Sequence, residues 1–342
     1  MNHPLRLTCS QDSLVANWRW LAATAGVECG AAIKADGYGI GASDVARKLR
    51  DAGCRTFFVS NWAEAEALGA HSEGASLVVL HGVAEDDYAA AASINARPTL
   101  NTPEQVARWK RIAPTRPCDV MIDTGMNRLG LRAEEAAVLD GLVIDTLHSH
   151  LACADEDHPL NALQLHRFRE AAAIIPAQRY SLANSAGICL GREYSFDLVR
   201  PGLALYGGIP RAEAQAHLKP VAAIEAQVVQ QRTVRAGESI GYGATFVAPV
   251  DIEVAIINIG YADGYWRAFA TAGRGWAGGV VLPVVGRVSM DLVTLDCSAA
   301  PDVREGDWIT LDFDLEASAR STGMTQYELL TGLGHRFERV WR

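Results

Sequence analysis

Long apolar runs are missing from this sequence. No segment offers the roughly 20 consecutive apolar residues that a membrane-spanning helix needs, so no membrane partner is expected. Basic charge is scarce as well. The 31 Lys and Arg residues face 40 Asp and Glu, a net charge of −9, which argues against nucleic acid as a partner. A small basic pocket for an anion stays open. The seven cysteines (Cys9, Cys29, Cys54, Cys118, Cys153, Cys189 and Cys297) are scattered, with no C-x-x-C pair. Zinc sites and disulfide frameworks need closer pairing. The expectation is therefore no metal, and free, mostly buried thiols in a reducing cytosol. The opening residues, MNHPLRLTCS, hold no apolar signal core, so a cytoplasmic location is expected. Internal repeats, low-complexity tracts and long linkers are also missing.

What is present looks like an ordinary globular chain. Its 342 residues are 49% hydrophobic and 21% charged, enough for one large or two modest domains. Eight short strand-like runs recur over the first 200 or so residues: 28–34, 56–60, 77–81, 96–100, 118–122, 143–148, 179–183 and 196–200. Helical patterns separate most of them. Thr102 and Pro103 form a helix start, residues 159–175 carry apolar positions at helical spacing, and Gly53 stops a helix over 42–52. This alternation predicts an α/β fold, a (β/α)8 TIM-type barrel, with a doubly wound open sheet as the alternative. Polar residues just after strand ends favour the barrel: Lys34, Asp123, His150, Asn184, Ser185 and Arg200. Near residues 210–220 the character changes to Gly-punctuated strand patterns with few helices, as expected of a mostly β domain. The predicted organisation is an N-terminal strand within 1–10 that can join the β domain, a barrel over 11–215, and a C-terminal β domain over 216–342.

Several residues have chemistry to offer. A strand-end lysine such as Lys34, followed by ADGYGIGA, can become a nucleophile and base when desolvated; alone, it equally fits a rim lysine solvating a turn. SLANSAG (181–187) and VRPGLALYG (199–207) follow the seventh and eighth strands, where barrels often bind phosphate. Ser185 and Gly202 also fit a helix cap and a plain turn. A rim lysine facing a phosphate loop is the layout of a lysine-linked phosphate cofactor. Arg128, within IDTGMNRLGL, suits bidentate carboxylate binding or a plain surface position. His150 closes the sixth strand and fits a structural role as well. Tyr242 and Tyr261 are flanked by glycine, and each fits an interface. A tyrosine acts as a base only where its phenolate is stabilised.

Eight segments in order carry a resemblance: AAIKADGYG, IDTGMNRLGL, SHLACADE, SLANSAG, VRPGLALYG, SIGYGATF, IGYADGYWR and GRVSMD. Together they resemble the alanine racemase family over nearly the whole chain. The resemblance implies a barrel plus β domain and a head-to-tail homodimer with shared active sites. It implies pyridoxal 5'-phosphate (PLP) as cofactor, held by Lys34 in Schiff-base linkage, and alanine racemisation that supplies D-alanine for peptidoglycan. Lys34 would be the base for the D-enantiomer, and Tyr242 of the partner subunit the base for the L-enantiomer. Arg200 resembles the partner of the pyridine nitrogen, with His150 bridging Arg200 and Tyr242. Tyr38, Ser185, Gly202 and the Leu203 backbone resemble the phosphate-binding set, with Asn184 alongside. Arg128 and the Met290 backbone N–H would hold the substrate carboxylate. Tyr261, Asp291, Asp155, Arg267 and Arg287 resemble the access channel.

Two positions depart from the pattern. Many members carry a carbamylated lysine two residues before the Asp of D-T-G, oriented toward the arginine. Here that residue is Met121, which forms no carbamate. Where some members place a phosphate-binding tyrosine, this chain has His335. Met121 motivates one alternative, a racemase of broader specificity acting on serine or basic amino acids. A barrel-type PLP decarboxylase lacks its expected Gly-rich phosphate segment and cysteine-containing site here. A non-catalytic PLP-binding barrel would lack the second domain.

Overall fold

The computed structural model describes residues 3–342. Met1 and Asn2, at the start of the expected 1–10 segment, lie outside the described residues. The chain divides into two compact units, Ser13–Lys219 and a unit joining the residues up to Asp12 with Pro220–Arg342.

Strand β1 (Leu5–Cys9) opens the chain. The barrel strands then follow in order: β2 (Glu28–Cys29) with β3 (Ala31–Ala32), β4 (Thr56–Val59), β5 (Ser76–Val79), β6 (Arg97–Leu100), β7 (Cys118–Met121), β8 (Ile144–His148), β9 (Arg179–Ser181) and β10 (Leu198–Val199). They are apolar and buried on both faces over most of their length, as parallel strands covered by helices must be. Strands β3 to β9 pair in parallel in sequence order, and β10 pairs in parallel with β2. Backbone bonds from Asp197 N–H to Tyr180 O (3.0 Å) and from Arg200 N–H to Ala183 O (2.9 Å) tie the eighth strand to the seventh. Those from Gly30 N–H to Val199 O (3.0 Å) and from Ala32 N–H to Pro201 O (2.8 Å) tie the first to the eighth. The sheet therefore closes on itself, and the open doubly wound alternative is excluded.

The first strand differs from the expected 28–34. It is interrupted at Gly30 and its pairing stops at Ala32. Gly30 has a packing reason: a Cβ there would lie 2.7 Å from Phe58 Cε2 and 2.9 Å from Thr56 O. The Phe58 ring fills the space a side chain would need.

The helix signals are realised as local hydrogen bonds. Thr102 Oγ1 accepts from Gln105 N–H (3.2 Å) with Pro103 in the first turn. Gly53 ends its helix in the left-handed conformation, at φ 117°. His158 Nδ1 accepts from Leu160 N–H (3.1 Å) at the start of helix Pro159–Ile174. Among the described residues no helix is long and apolar enough to cross a membrane.

The other unit is built on the 13-residue strand β11 (Ala222–Val234). After it come β12 (Ser239–Ile240), β13 (Phe246–Val247), β14 (Ile252–Ile257), β15 (Arg274–Ala277), β16 (Val280–Pro283), β17 (Val293–Asp296), β18 (Trp308–Leu311) and β19 (Glu338–Trp341). The first half of β11 pairs with β1 and β18, and its second half pairs with β14. A register shift between Val228 and Gln230 marks the change of partner, because an extra residue kinks a strand and lets it serve two neighbours. β1 also pairs in parallel with β19.

Gly30→Ala is expected to cost about 1–3 kcal/mol by overpacking the barrel against Phe58. Urea unfolding of the purified protein measures it. An unchanged midpoint would mean that Phe58 can move aside.

Candidate active site

The barrel residues predicted from the sequence gather at the C-terminal ends of the strands. Lys34 does not end a strand. It opens a turn, Lys34–Tyr38, in which Ala35, Asp36, Gly37 and Tyr38 all take left-handed φ, between 51° and 62°. Three of the four are not glycine, and each such residue costs roughly 1–2 kcal/mol. The surroundings hold the turn in place. Glu64 accepts from Ala35 N–H (2.9 Å) and from Ser60 N–H (2.6 Å), and Asp36 accepts from Ala42 N–H (2.9 Å). Gly37 N–H donates to Ile33 O (2.8 Å). Strain of this kind fixes the direction of a side chain, and here that side chain is Lys34. Burial lowers its pKa, and the Arg128 and Arg200 charges lower it further against a smaller opposing pull from Glu64.

Tyr38 is buried and stacks on Tyr206, with ring centroids 4.8 Å apart. Its hydroxyl occupies the position a Cβ on residue 202 would take, which explains Gly202. Ser185 Oγ accepts from Gly202 N–H (3.0 Å) and Ala204 N–H (3.2 Å). Both lone pairs are thereby used, and the O–H remains as a donor. Asn184 caps helix Ser185–Leu190, its Oδ1 accepting from Gly187 N–H at 2.8 Å. The N–H of Leu203 opens the next turn and has no intrahelical partner.

Arg128 projects from a loop organised by Asp123, whose Oδ1 accepts from the N–H groups of Gly125, Met126 and Asn127 at 2.8–3.1 Å. The loop is ordered, but the exposed guanidinium makes no ion pair or hydrogen bond among the described residues. Met121 is buried at the end of β7 and offers no charge. Asp155 is exposed in the loop after β8.

Arg200 lies inside the barrel. It donates to Ser181 Oγ (2.5 Å) and Ser149 O (2.6 Å), and it meets His148 Nδ1 (3.3 Å) and His150 Nδ1 (3.4 Å). Burial pushes its pKa down to about 10. The His150 imidazole is pushed down to about 3, by burial first and then by Arg200, Arg128 and Lys34. The site therefore brings together three cations, Lys34, Arg128 and Arg200, with a neutral imidazole. An anionic ligand is what such a cluster attracts.

The remaining predicted residues belong to the β unit. Tyr242 is 75% exposed in a short turn between Gly241 and Gly243, both at φ 73°. The Arg287 guanidinium lies beside that turn: a Cβ on Gly243 would be 3.1 Å from its Nη1. Tyr261 and Met290 are joined through the backbone. Tyr261 N–H donates to Ser289 O (3.0 Å) and Ala262 N–H to Met290 O (3.1 Å). Gly260 permits this approach, since a Cβ there would collide with Met290 O. Met290 is 53% exposed, and its N–H meets no protein acceptor among the described residues. Arg267 is exposed. Asp291 is held by Arg336 Nη1 at 2.8 Å.

Four groups were missed from the sequence. Arg336 makes a two-pronged pair with buried Asp263 (2.6 and 2.8 Å) as well as holding Asp291. It adjoins His335, which is exposed. Glu64, described above, braces the Lys34 turn. His148 and Asp119 lie beneath Arg200, bonded to each other at 2.8 Å. The spacing His148-Ser149-His150 carried a signal for one of them, because residues two apart on a strand share a face. Asp119, a lone carboxylate in an apolar strand, carried another.

Comparison with known proteins agrees with this geometry. Residues 9–210 match the family model "Alanine racemase, N-terminal domain" and residues 221–341 match "Alanine racemase, C-terminal domain". A catabolic alanine racemase of Agrobacterium fabrum is 43% identical, covering 98% of this chain and 91% of that protein. A biosynthetic alanine racemase of the same organism is 38% identical, covering 99% and 94%. The crystal structure of alanine racemase from Bartonella henselae with covalently bound pyridoxal phosphate superposes with a TM-score of 0.92. It is 35% identical and covers all of both chains.

Chemical labelling tests the environment of Lys34. The chain has only four lysines, Lys34, Lys48, Lys110 and Lys219. A lowered pKa leaves more free amine at a given pH, so competitive acetylation of the cofactor-free protein is expected to titrate Lys34 below the ordinary value of 10.5. A normal titration would remove the claim that burial and the two arginines act on it. The two matched domains, the relatives and the fold lead to one conclusion: this chain belongs to the alanine racemase family of isomerases.

Proposed function

We propose that this protein interconverts L-alanine and D-alanine with pyridoxal 5'-phosphate, in the cytoplasm, and supplies D-alanine for peptidoglycan. The observation that carries the reading is the convergence of Lys34, Arg128 and Arg200 with Ser185 and Tyr38 at one end of the barrel. These residues fit the cofactor. A lysine with a lowered pKa is ready to bind a carbonyl carbon. The Ser185 O–H, the Leu203 N–H and the Gly202 cradle under the Tyr38 hydroxyl suit a phosphate, with Asn184 ordering the loop.

When bound, the cofactor supplies the sink for the charge left when the Cα proton departs. The chain's residues do the rest. Lys34 Nζ takes or returns the proton on one face of Cα. Tyr242 Oη, from the partner subunit of a homodimer, does so on the other face. Its 75% exposure between two glycines supports a role across an interface. Arg200 donates and does not accept, so a ring nitrogen placed against it stays unprotonated. His150 Nδ1 faces Arg200, which puts its proton on Nε2, available to stabilise the Tyr242 phenolate. Arg128 and the Met290 N–H hold the substrate carboxylate. Tyr261, Asp291, Asp155, Arg267 and Arg287 line the access channel. In this reading the barrel domain spans 11–215 and the β domain 216–342.

Broader substrate specificity is the second reading. Arg128, without an ion pair among the described residues, and the uncharged Met121 favour it, because an unanchored guanidinium can follow different substrates.

Lys34→Ala is expected to abolish the absorption of lysine-bound cofactor and all racemisation. Tyr242→Phe is expected to slow single-turnover exchange of the Cα proton from L-alanine by about 100-fold or more, and exchange from D-alanine much less. Equal losses on both sides would rule out Tyr242 as the L-side base. A racemisation panel of alanine, serine, lysine and arginine, with added PLP, decides between the two readings. Alanine is expected to be preferred, and preference for another substrate would establish the second.

A further inference from the structure

Beneath Arg200 runs a line of charged and polar groups for which the catalytic reading has no use. Along the N-terminal ends of the strands, ionic contacts link neighbouring strands and strands one apart. Glu28 on β2 pairs with Arg179 on β9 (2.8 Å), and Arg179 with Asp145 on β8 (2.5 Å). Asp145 lies 3.1 Å from Arg97 on β6, and Arg97 Nε donates to Asp119 on β7 (2.8 Å). Three carboxylates here meet two guanidinium groups, so one negative charge is left over. Asp119, fully buried, is where the line turns inward. Its other oxygen, Oδ2, lies 2.8 Å from His148 Nε2, and His148 Nδ1 lies 3.3 Å from Arg200 Nη1.

The hydrogen-bond chemistry of this line allows one arrangement. Burial opposes ionisation of Asp119, but the bonds from His148 and Arg97 outweigh it and hold the pKa below the usual value. An ionised carboxylate only accepts, so His148 Nε2 carries a proton. The His148 imidazole is fully buried, edge-on to the Phe58 ring at 6.0 Å. Burial pushes its pKa down to about 4, with Arg200 and Arg97 adding to that push and Asp119 opposing it. It is therefore neutral near pH 7, and Nδ1 carries a lone pair. Arg200, which can only donate, meets that lone pair.

We propose that Asp119 and His148 form a positioning relay: Asp119 fixes the Nε2–H tautomer of His148, which gives the buried Arg200 guanidinium an acceptor and holds it against the cofactor ring. The surplus charge of the rim balances Arg200 through a neutral imidazole, without a carboxylate beside the ring. A carboxylate in direct contact would neutralise Arg200 locally. An imidazole orients it and leaves its positive face toward the cofactor. The proposal rests on Arg200 facing the ring, as in the function proposed above. Asp119 and His148 are positioning residues and touch neither substrate nor cofactor.

Asp119→Asn tests the relay with little change of shape. An amide offers one oxygen where the carboxylate offered two. It cannot accept from both Arg97 and His148, so its NH2 must turn toward one of them. Turned toward His148, it favours the Nδ1–H tautomer, which sets a donor against Arg200.

The readout is nitrogen NMR of the 15N-histidine-labelled holoenzyme between pH 5.5 and 9, with His148→Gln assigning the signal among nine histidines. In the wild type, His148 is expected as a pure, non-titrating Nε2–H tautomer. An Nδ1–H or cationic imidazole would overturn the proposal without recourse to any variant. Asp119→Asn is expected to lose that tautomer, to shift the absorption of lysine-bound cofactor, and to lower kcat at least about tenfold. KM for alanine should stay within about threefold.

Asp145→Asn is the control. It removes the same charge from the rim without touching His148, so tautomer and absorption should hold while the unfolding midpoint falls. If both variants shifted the absorption and kcat alike, the relay would be replaced by bulk electrostatics. If Asp119→Asn fails to fold, the wild-type tautomer and His148→Phe, which can neither donate to Asp119 nor accept from Arg200, decide. Wild-type absorption and kcat in His148→Phe would overturn the relay. Arg200→Lys separates the underlying reading: unchanged absorption there would remove Arg200 from the ring, whereas the tautomer reports on the relay alone.

Discussion

A guanidinium inside a closed barrel is the constraint around which this molecule is arranged. Taking a charge out of water costs several kcal/mol even after relaxation, and Arg200 is almost wholly buried. The barrel meets that cost with five neighbouring acceptor atoms: a serine hydroxyl, two backbone carbonyls and two imidazole nitrogens. None is charged. The balancing charge is further away, in Asp119 and the rim below it. The cation is thus held firmly and left chemically available.

The same economy of contact recurs at Lys34 and Arg128. The Lys34 turn is strained at three non-glycine residues, Ala35, Asp36 and Tyr38, and braced by Glu64 and Asp36, so the lysine is oriented without a direct ion pair among the described residues. The Arg128 loop is held by Asp123 through three backbone N–H groups, while the guanidinium stays unpaired among the described residues. In each case rigidity resides in the backbone and the side chain is kept for a ligand. Such sites depend on support from well-packed elements, and a barrel whose strands are short and buried supplies it.

In the β unit the site residues rest on close backbone contacts. Gly260 lets the Tyr261 turn approach the carbonyl of Met290, and Arg336 ties Asp263 to Asp291. These contacts set Tyr261, Met290 and Asp291 beside one another although nearly thirty residues separate them in the chain.

Much of this was legible in the sequence, because it depends on local pattern. Eight apolar runs separated by helix signals imply parallel strands, and polar residues after five of them imply a rim. Motif order pointed to the family, and with it to Lys34, Arg128, Arg200 and Tyr242 as candidates. What the sequence could not show depends on which strands meet. Closure of the sheet through β10 and β2, the left-handed turn at Lys34, and the path from Asp119 through His148 to Arg200 join residues distant in the chain, as in the pairing of Glu28 with Leu198. His148 and Asp119 were visible as polar residues in apolar strands, but their partners were not. A strand pattern says which face a residue takes, and only the curled sheet decides what it meets there.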